Sequence, residues 1–211
     1  MKININGVIV PNDDKWIYDY FGIESTSPAD VEKALSDADG QDVDININSG
    51  GGDVFSGSAI YSAIRAYTGK LNIHVVGLAA SAASVIAMAG HSDISPTGQV
   101  MIHKVSTTQS GNSADMEKAA DILKQADRSI AAAYVAKTGM SEEDALQLME
   151  DETWLTADDA VTNGLIDEIA ESHNKHELTL AADTGGLLPK SVINKMTEKR
   201  NSLITFFGGE K

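Results

Sequence analysis

The sequence contains no cysteine and few basic residues, and each shortage excludes a class of function. Without cysteine the chain can form no disulfide, offers no thiol nucleophile and cannot bind zinc or an iron–sulfur cluster through thiolates. Lysine and arginine together number 16, against 31 aspartates and glutamates, so the formal net charge is −15. Because such a surface repels phosphate groups, we expect no nucleic-acid partner.

Segments that would direct the chain to a membrane are also lacking. Residues 1–6 have neither the basic region nor the long apolar stretch of a signal peptide. The run Leu71–Gly90 carries no formal charge and is long enough to suggest a membrane helix, but several polar side chains interrupt it. We therefore expect two buried elements joined at residues 77–81, no membrane partner and a cytoplasmic location.

The length and composition predict one globular domain with an appendage. The chain has 211 residues, of which 42% are hydrophobic, and this suits a single core of ordinary size. From about Lys175 onward, the acidic character is lost and glycine pairs occur. We expect a domain over residues 1–171 and a partly flexible C-terminal tail over residues 172–211, with one helix at residues 190–200.

Strand-like and helix-like patterns alternate along the predicted domain. Strands are predicted near residues 3–11, 42–48, 71–76 and 100–103, and a last strand is predicted to start at residues 165–166. Helices are predicted after Ser27, between Asp53 and Gly69, over residues 82–89 and 113–137, and after Ser141 and Thr156. This alternation indicates parallel βαβ units and an α/β fold.

Two turns of small residues occur where a predicted strand meets a predicted helix, at residues 48–52 and 77–82. Backbone N–H groups at such turns can stabilise a developing negative oxygen. Ser81 carries the lone hydroxyl at the start of the second helix, and its small neighbours leave it accessible to a substrate carbonyl. A glycine-rich turn is more often only a turn, and residues 48–52 fit no phosphate-binding motif.

A serine becomes a good nucleophile only when a base accepts its proton, and histidine is the usual base. The candidates are His74, His91, His103, His173 and His176. His103 ends a short strand and is expected beside Ser81 at the sheet edge, whereas His74 is expected to be structural and His91 to lie in a loop. The spacing of residues 173 and 176 is compatible with a metal, but we expect no metal site in the tail.

An imidazole base also needs an acceptor that fixes its tautomer, and three consecutive carboxylates are available. These are Glu150, Asp151 and Glu152, which precede the Thr156 helix. Such a run is more often a solvated surface. A lysine base at Lys104 is disfavoured, because neighbouring strand residues point to opposite faces and Lys104 follows His103 directly.

Four motifs, taken in order, resemble those of the Clp protease proteolytic subunit (ClpP) family, and the resemblance covers roughly residues 3–171. Residues 47–52 (INSGGG) are similar to the family's INSPGG, with Gly50 in place of proline. Residues 77–82 are similar to its G-x-A-A-S-x nucleophile turn, and residues 100–103 match its V-M-I-H. Residues 154–157, followed by residues 160–161 and 164–167, are similar to its aromatic-L-S/T-A…A-V…G-L-V-D. Each motif is modest alone, but the ordered set is specific.

The resemblance implies a serine endopeptidase with the spiral of ββα units that ClpP shares with crotonases, and with a protruding handle helix at residues 113–137. Ser81 would then be the nucleophile and His103 the general base and acid. The N–H groups of Gly52 and Ala82 would form the oxyanion hole. No cofactor or metal is implied, because acyl transfer by such a triad needs only water.

The third member of the triad is where this chain departs from the family. The family's aspartate stands two residues before the aromatic residue, and here that position is Glu152. Glutamate can still accept the imidazole N–H, although its extra methylene requires the backbone to stand further away. Asp151 is the alternative, and Glu150 is a weaker one.

The resemblance also implies partners. Residues 105–111 correspond to a strand that pairs with substrate, and the handle helix joins two stacked rings in the family. We therefore expect a ring-forming homo-oligomer that acts on unfolded polypeptides. Housekeeping members carry an extra N-terminal segment that docks an unfolding ATPase, and this sequence starts almost at the first strand, so the need for an ATPase partner stays open.

The short start, the Trp154 motif and the tail are most similar to bacteriophage prohead maturation proteases of ClpP type, which cleave scaffold and capsid proteins. That context implies the host cytoplasm as the location. A housekeeping peptidase subunit that works with an ATPase is the first alternative. A crotonase-like acyl-CoA enzyme or an inactive ring scaffold is the second.

Overall fold

The computed structural model describes residues 1–170, and the predicted tail, with its helix, lies outside the described residues. The strands are β1 (Lys2–Ile9), β2 (Ser25–Thr26), β3 (Val43–Gly52), β4 (Leu71–Ala80), β5 (Ser92–Ile94), β6 (Gln99–Ile102), β7 (Thr153–Thr156) and β8 (Glu168–Ile169). The helices are α1 (Lys15–Tyr20), α2 (Pro28–Ala38), α3 (Val54–Ala66), α4 (Ala82–Ala87), α5 (Ser113–Thr138), α6 (Glu142–Glu150) and α7 (Ala157–Thr162).

The described strands form one sheet that branches at β4. The path β2-β1-β3-β4-β5-β8 is parallel throughout. The first half of β4 pairs with β5, whereas its end pairs with β6, so that Ala80 stands opposite Met101. β6 then pairs antiparallel with β7. The mostly parallel sheet with intervening helices confirms the predicted α/β fold.

The core is formed by one face of this sheet together with the helices that cover it. Along β3 the side chains of Val43, Ile45 and Ile47 are buried, and the residues between them are polar. Ile5, Ile73 and other β-branched residues of the neighbouring strands join the same cluster. A fully buried side chain of this size contributes about 1.5–3 kcal/mol, so this alternation fixes which face each strand turns inward.

The opposite face of the sheet is polar, which is unusual for parallel strands because helices commonly cover both faces. The amide of Asn46 donates to Asn4 Oδ1 on the neighbouring strand over 3.1 Å. Asn72 Nδ2 donates to Asp44 Oδ1 over the same distance. The Asn72 hydrogen bond is the main cause of the lowered pKa of Asp44. These cross-strand contacts satisfy the polar side chains without a covering layer.

The helix starts follow the capping signals in the sequence. Ser27 and Asp30 form a capping box at α2, and Thr156 and Asp159 form one at α7. Ser141 caps α6 by accepting from the Asp144 N–H. In each case a side-chain oxygen satisfies a backbone donor that has no partner within the helix.

Several predicted boundaries were wrong. β3 and β4 continue to Gly52 and Ala80, where the sequence predicted turns, because parallel neighbours keep pairing with the glycine- and alanine-rich residues. The last strand, β8, starts at Glu168 and not at the buried residues 165–166. Residues 103–112 contain no helix or strand, so the predicted strand at 105–111 is absent.

The uncharged run Leu71–Gly90 forms two separate elements, β4 and α4, and this agrees with the sequence-based expectation. Within residues 1–170, no helix combines the length and the apolar character needed to cross a bilayer.

Helix α5 is only half attached to the domain. None of its residues before Asp127 is buried, whereas Ile130, Ala131 and Tyr134 belong to the core. Asp127 is buried and accepts a hydrogen bond of 2.8 Å from the backbone N–H of Val105. The N-terminal half therefore projects from the domain, as expected for a handle.

Lys137 and Asp167 form an ion pair that fastens the end of α5 to the start of β5. Lys137 is nearly buried, and its ammonium also donates to the Gly90 carbonyl over 2.8 Å. Asp167 accepts from the Ser92 N–H over 2.7 Å. Partial burial would raise the pKa of Asp167, but the Lys137 ammonium and the Ser92 N–H together bring it below its usual range.

We expect Asp167→Asn to lower the free energy of unfolding by about 1–2 kcal/mol near neutral pH, because partly exposed charged hydrogen bonds are lost. A lowered carboxyl pKa stabilises the folded state above the unfolded pKa of about 3.9, and this stabilisation disappears as pH falls through the folded value. The difference between wild type and variant should therefore shrink below about pH 4 in urea unfolding. Asp13→Asn, at an exposed position, is the matched control. A difference that stays constant with pH would contradict the pairing.

Candidate active site

Ser81 lies between the end of β4 and the start of α4, in a strained backbone conformation. Its φ is 55° and its ψ is −124°, and positive φ is uncommon for residues other than glycine. The Ser81 N–H donates to the Met101 carbonyl over 2.9 Å, and the Ser81 carbonyl accepts from the Ser84 N–H over 3.0 Å. The neighbouring strand and the following helix thus hold the turn, as in other serine nucleophile turns between a strand and a helix.

The structure brings His103 to Ser81. His103 follows β6 directly, and the pairing of Ala80 with Met101 places it beside the end of β4. Its Nε2 lies 2.8 Å from Ser81 Oγ, and the imidazole is half-buried. A nitrogen at this distance can accept the hydroxyl proton during attack on a carbonyl.

The Ser81–His103 pair opens into a cleft of about 280 Å³. Gly52 and Ala82 line the cleft, and Val85, Ile130 and Tyr134 contribute apolar surface. Ala82 is the first residue of α4, and the first N–H groups of a helix have no partner within it. The predicted oxyanion donors therefore lie at the same cleft as Ser81.

Glycine is required at the last two positions of β3, beside this cleft. At Gly52, with φ 151°, a Cβ would stand 2.1 Å from the Ile9 carbonyl oxygen. At Gly51, with φ 90°, a Cβ would stand 2.7 Å from both the Ala80 oxygen and Ser81 Cβ. At Gly50, where the family has proline, a Cβ would meet nothing within 4 Å.

The three consecutive carboxylates have different surroundings. Glu150 pairs with Lys104, and both oxygens of Asp151 accept from the Gln147 amide at 3.0 Å. Glu152 is exposed, has a positive φ of 47°, and its carboxylate has no hydrogen bond or ion pair within residues 1–170. None of the three forms a hydrogen bond with His103 among the described residues.

The remaining histidines of the described region do not contribute to the cleft. His74 Nδ1 lies 2.7 Å from Asp93 Oδ2 on the neighbouring strand, on the polar face of the sheet. His91 is exposed in a loop. His173 and His176 lie outside the described residues, and residues 1–170 contain no cluster of three metal-ligating side chains.

Sequence reasoning missed two buried hydroxyls beneath the nucleophile turn. Ser84 is one of the polar side chains within the run Leu71–Gly90, and Tyr134 lies in the helix predicted over residues 113–137, so neither stands out in the sequence as a site residue. In the structure Ser84 Oγ lies 2.6 Å from the Ser81 carbonyl oxygen and 2.8 Å from the Tyr134 hydroxyl. A serine inside an alanine-rich helix is the one signal that could have pointed to them.

We expect Gly51→Ala to reduce the labelling rate of Ser81 by a fluorophosphonate about 100-fold or more, because a methyl group displaces the nucleophile turn and small misplacements have effects of this size. Gly50→Ala is the matched control and should label within about threefold of wild type, since its methyl enters open space. Equal rates for the two variants would contradict the close approach of Gly51 to Ser81. Labelling is followed by mass spectrometry of the modified peptide.

Comparison with known proteins agrees with this geometry. A family model described as Clp protease matches residues 32–173. The ATP-dependent Clp protease proteolytic subunit 1 of Chlamydia abortus is 36% identical over 141 residues, which cover 64% of this chain and 73% of that protein. The ATP-dependent Clp protease proteolytic subunit of Deinococcus radiodurans is 33% identical over 135 residues, which cover 62% of this chain and 66% of that protein.

Proposed function

The chain belongs to the Clp protease family of serine-type peptidases, and from this we propose that it hydrolyses peptide bonds with Ser81 as nucleophile and His103 as general base. The observation that carries the assignment is the 2.8 Å separation of His103 Nε2 and Ser81 Oγ at an open cleft.

In the first half of the proposed reaction, Ser81 Oγ bonds to the scissile carbonyl carbon while His103 Nε2 takes its proton. The N–H groups of Gly52 and Ala82 stabilise the negative oxygen of the tetrahedral intermediate. His103 then passes the proton to the amine, the C–N bond breaks, and an acyl ester remains on Ser81. Water attacks this ester with the same base and releases the second product, so no cofactor is required.

We propose Glu152 as the acceptor that orients the His103 imidazole. The partners of the neighbouring carboxylates support this choice, because Glu150 is engaged by Lys104 and Asp151 by Gln147. Within residues 1–170, Glu152 is the one of the three whose carboxylate has no partner, so it can turn towards the imidazole when substrate or a neighbouring subunit orders the site. Because glutamate has one more methylene than aspartate, this role requires its backbone to stand further from the imidazole than that of an aspartate.

The segment after His103 is the proposed docking site for substrate. Residues 103–112 have no strand partner in the described region. The Lys104 N–H donates to the Met149 carbonyl over 3.1 Å and the Val105 N–H to Asp127, so the backbone groups beyond Val105 are the ones open to a substrate. An extended peptide can therefore pair with its backbone groups, which demands little of the substrate's side chains. Unfolded polypeptides suit this mode of binding.

We propose that the chain forms rings, as Clp protease family members do, and that it works in the host cytoplasm in the cleavage of phage scaffold and capsid proteins. The motif that begins at Trp154 supports this context through its resemblance to prohead proteases. A housekeeping peptidase subunit is a second candidate, favoured by the curated relatives, whose names describe subunits of an ATP-dependent protease.

We expect a fluorophosphonate to label wild type at Ser81 and to leave Ser81→Ala unmodified, because only an activated serine reacts with this probe. Wild type should cleave an unfolded protein, and the Ser81→Ala variant should not. Equal cleavage by both proteins would exclude the proposed nucleophile and favour an inactive ring scaffold. Absence of labelling together with turnover of an acyl-CoA would favour a crotonase-like enzyme.

Wild type and the Ser81→Ala variant also distinguish a housekeeping subunit from a head-maturation protease. A housekeeping subunit should degrade a stably folded protein only when a Clp ATPase and ATP are present. A head-maturation protease should cleave purified scaffold protein without either. The Ser81→Ala variant is the control for contaminating peptidases in both assays.

We expect Glu152→Ala to lower kcat at least about tenfold more than Asp151→Ala, because an imidazole without its acceptor loses both tautomer and orientation. The two variants remove adjacent carboxylates and change the net charge equally, so each is the control for the other. Peptide hydrolysis under saturating substrate provides the measurement. Equal or reversed losses would reject Glu152 as the third member.

A further inference from the structure

Two hydroxyl groups lie buried directly beneath the nucleophile turn. Ser84 on α4 and Tyr134 on α5 are 0% and 1% exposed, and they are 50 residues apart in the chain. Ser84 Oγ contacts both the Tyr134 hydroxyl and the Ser81 carbonyl oxygen. The proposed mechanism leaves this pair without a role.

The direction of these hydrogen bonds follows from the number of protons available. The Ser81 carbonyl can only accept, so at 2.6 Å the single proton of Ser84 must point to it. At 2.8 Å from the same Ser84 oxygen, the Tyr134 hydroxyl must then be the donor. The bonds therefore run from Tyr134 to Ser84 and from Ser84 to Ser81. Burial raises the pKa of Tyr134 to about 12, which keeps this donor protonated at neutral pH.

The last acceptor in this series of hydrogen bonds is the Ser81 carbonyl, which belongs to the peptide group that joins Ser81 to Ala82. A peptide group is planar and trans, so its C=O and its N–H point in opposite directions along one plane. Fixing the direction of the Ser81 carbonyl therefore fixes the direction of the N–H of Ala82, a residue that lines the cleft. Withdrawal of electron density by the donated hydrogen bonds also makes that N–H a stronger donor.

The backbone at this point needs such support. Ser81 holds a φ of 55°, and strained conformations persist only where the surrounding contacts determine them fully. Its carbonyl accepts from the Ser84 N–H at 3.0 Å and from the Val85 N–H at a longer 3.4 Å. The Ser84 hydroxyl forms the shortest of the contacts to this oxygen, and Tyr134 holds that hydroxyl in place.

We propose that Ser84 and Tyr134 are positioning residues, which orient the Ser81–Ala82 peptide group so that the Ala82 N–H points to the oxygen that becomes negative during attack. The proposal rests on the proposed function, because it requires the Ala82 N–H to serve as an oxyanion donor. Through the Tyr134 hydroxyl, helix α5 would then influence the reaction.

The test uses Tyr134→Phe, Ser84→Ala and the double variant, each of which removes a hydroxyl and leaves the packing nearly unchanged. Tyr67→Phe and Ser62→Ala are the matched controls. They remove the hydroxyls that donate to the Gln41 and Ser58 carbonyls, away from the cleft. kcat and KM for a peptide are measured per active site, together with the thermal midpoint.

We expect Tyr134→Phe to lower kcat about tenfold and Ser84→Ala about 30-fold, with KM within about twofold, since loss of a direct oxyanion donor costs more, about 10²–10³-fold. The double variant should resemble Ser84→Ala, because both hydroxyls act on the same carbonyl. The controls should keep the wild-type kcat.

A lowered thermal midpoint with kcat within about twofold of wild type would show that the pair only stabilises the fold, and would overturn the proposal. A loss confined to KM, or a double variant whose loss equals the product of the single losses, would overturn it as well. If Ser84→Ala fails to fold, Tyr134→Phe alone decides. These outcomes are distinct from failure of the proposed function, in which wild type itself neither hydrolyses the peptide nor is labelled at Ser81.

Discussion

The parallel pairing of the end of β4 with β6 is the constraint on which the Ser81–His103 pair depends. β4 pairs with β5 along its first half and with β6 at its end, so the sheet divides just before Ser81. Because Ala80 stands opposite Met101, the residues that follow each strand meet at one edge. A shift of one residue in this register would turn the side chains of β6 to the opposite face and remove His103 from the nucleophile.

The residues near Ser81 are small, and this allows neighbouring backbone segments to approach one another very closely. Gly51 comes so near Ser81 that any side chain would collide with it, and Gly52 packs in the same way against Ile9. Small residues thus permit two parallel strands to end at the same cleft. Hydrogen bonds to β6 and to α4 hold the strained backbone of Ser81 in place. Because both elements also contribute to the core, the site and the core stabilise each other.

Most of the fold could be predicted because each element carries a local signal. The alternation of Val43, Ile45 and Ile47 identified β3, and the capping residues Ser27 and Thr156 marked where α2 and α7 begin. Strand ends were missed because β3 and β4 continue through small residues, whose pairing depends on neighbours far along the chain. Local propensity carries no information about such neighbours.

The residues of the candidate site also differ in whether the sequence could predict them. Ser81 and His103 could be selected from motif order, and the structure places them in contact. The link between Ser84 and Tyr134 depends on how α5 packs against α4, which no short segment of sequence encodes. The sequence narrows the choice of the carboxylate that would orient His103 to three neighbouring residues. Their different partners depend on the three-dimensional arrangement of the side chains, which the sequence does not show.

The uneven burial of α5 has a consequence for its internal stability. Its 26 residues begin at a capping box between Asn112 and Asp115, yet Asp127 is the first of them to be buried. An isolated helix of fewer than about 12–15 residues is marginal in water, so in a lone subunit the outer turns fray while the turns near Tyr134 stay closed. Amide hydrogen exchange is therefore expected to differ between the two halves of this helix. The projecting half should gain protection only when another molecule covers it, and the half beneath Ser81 should be protected already.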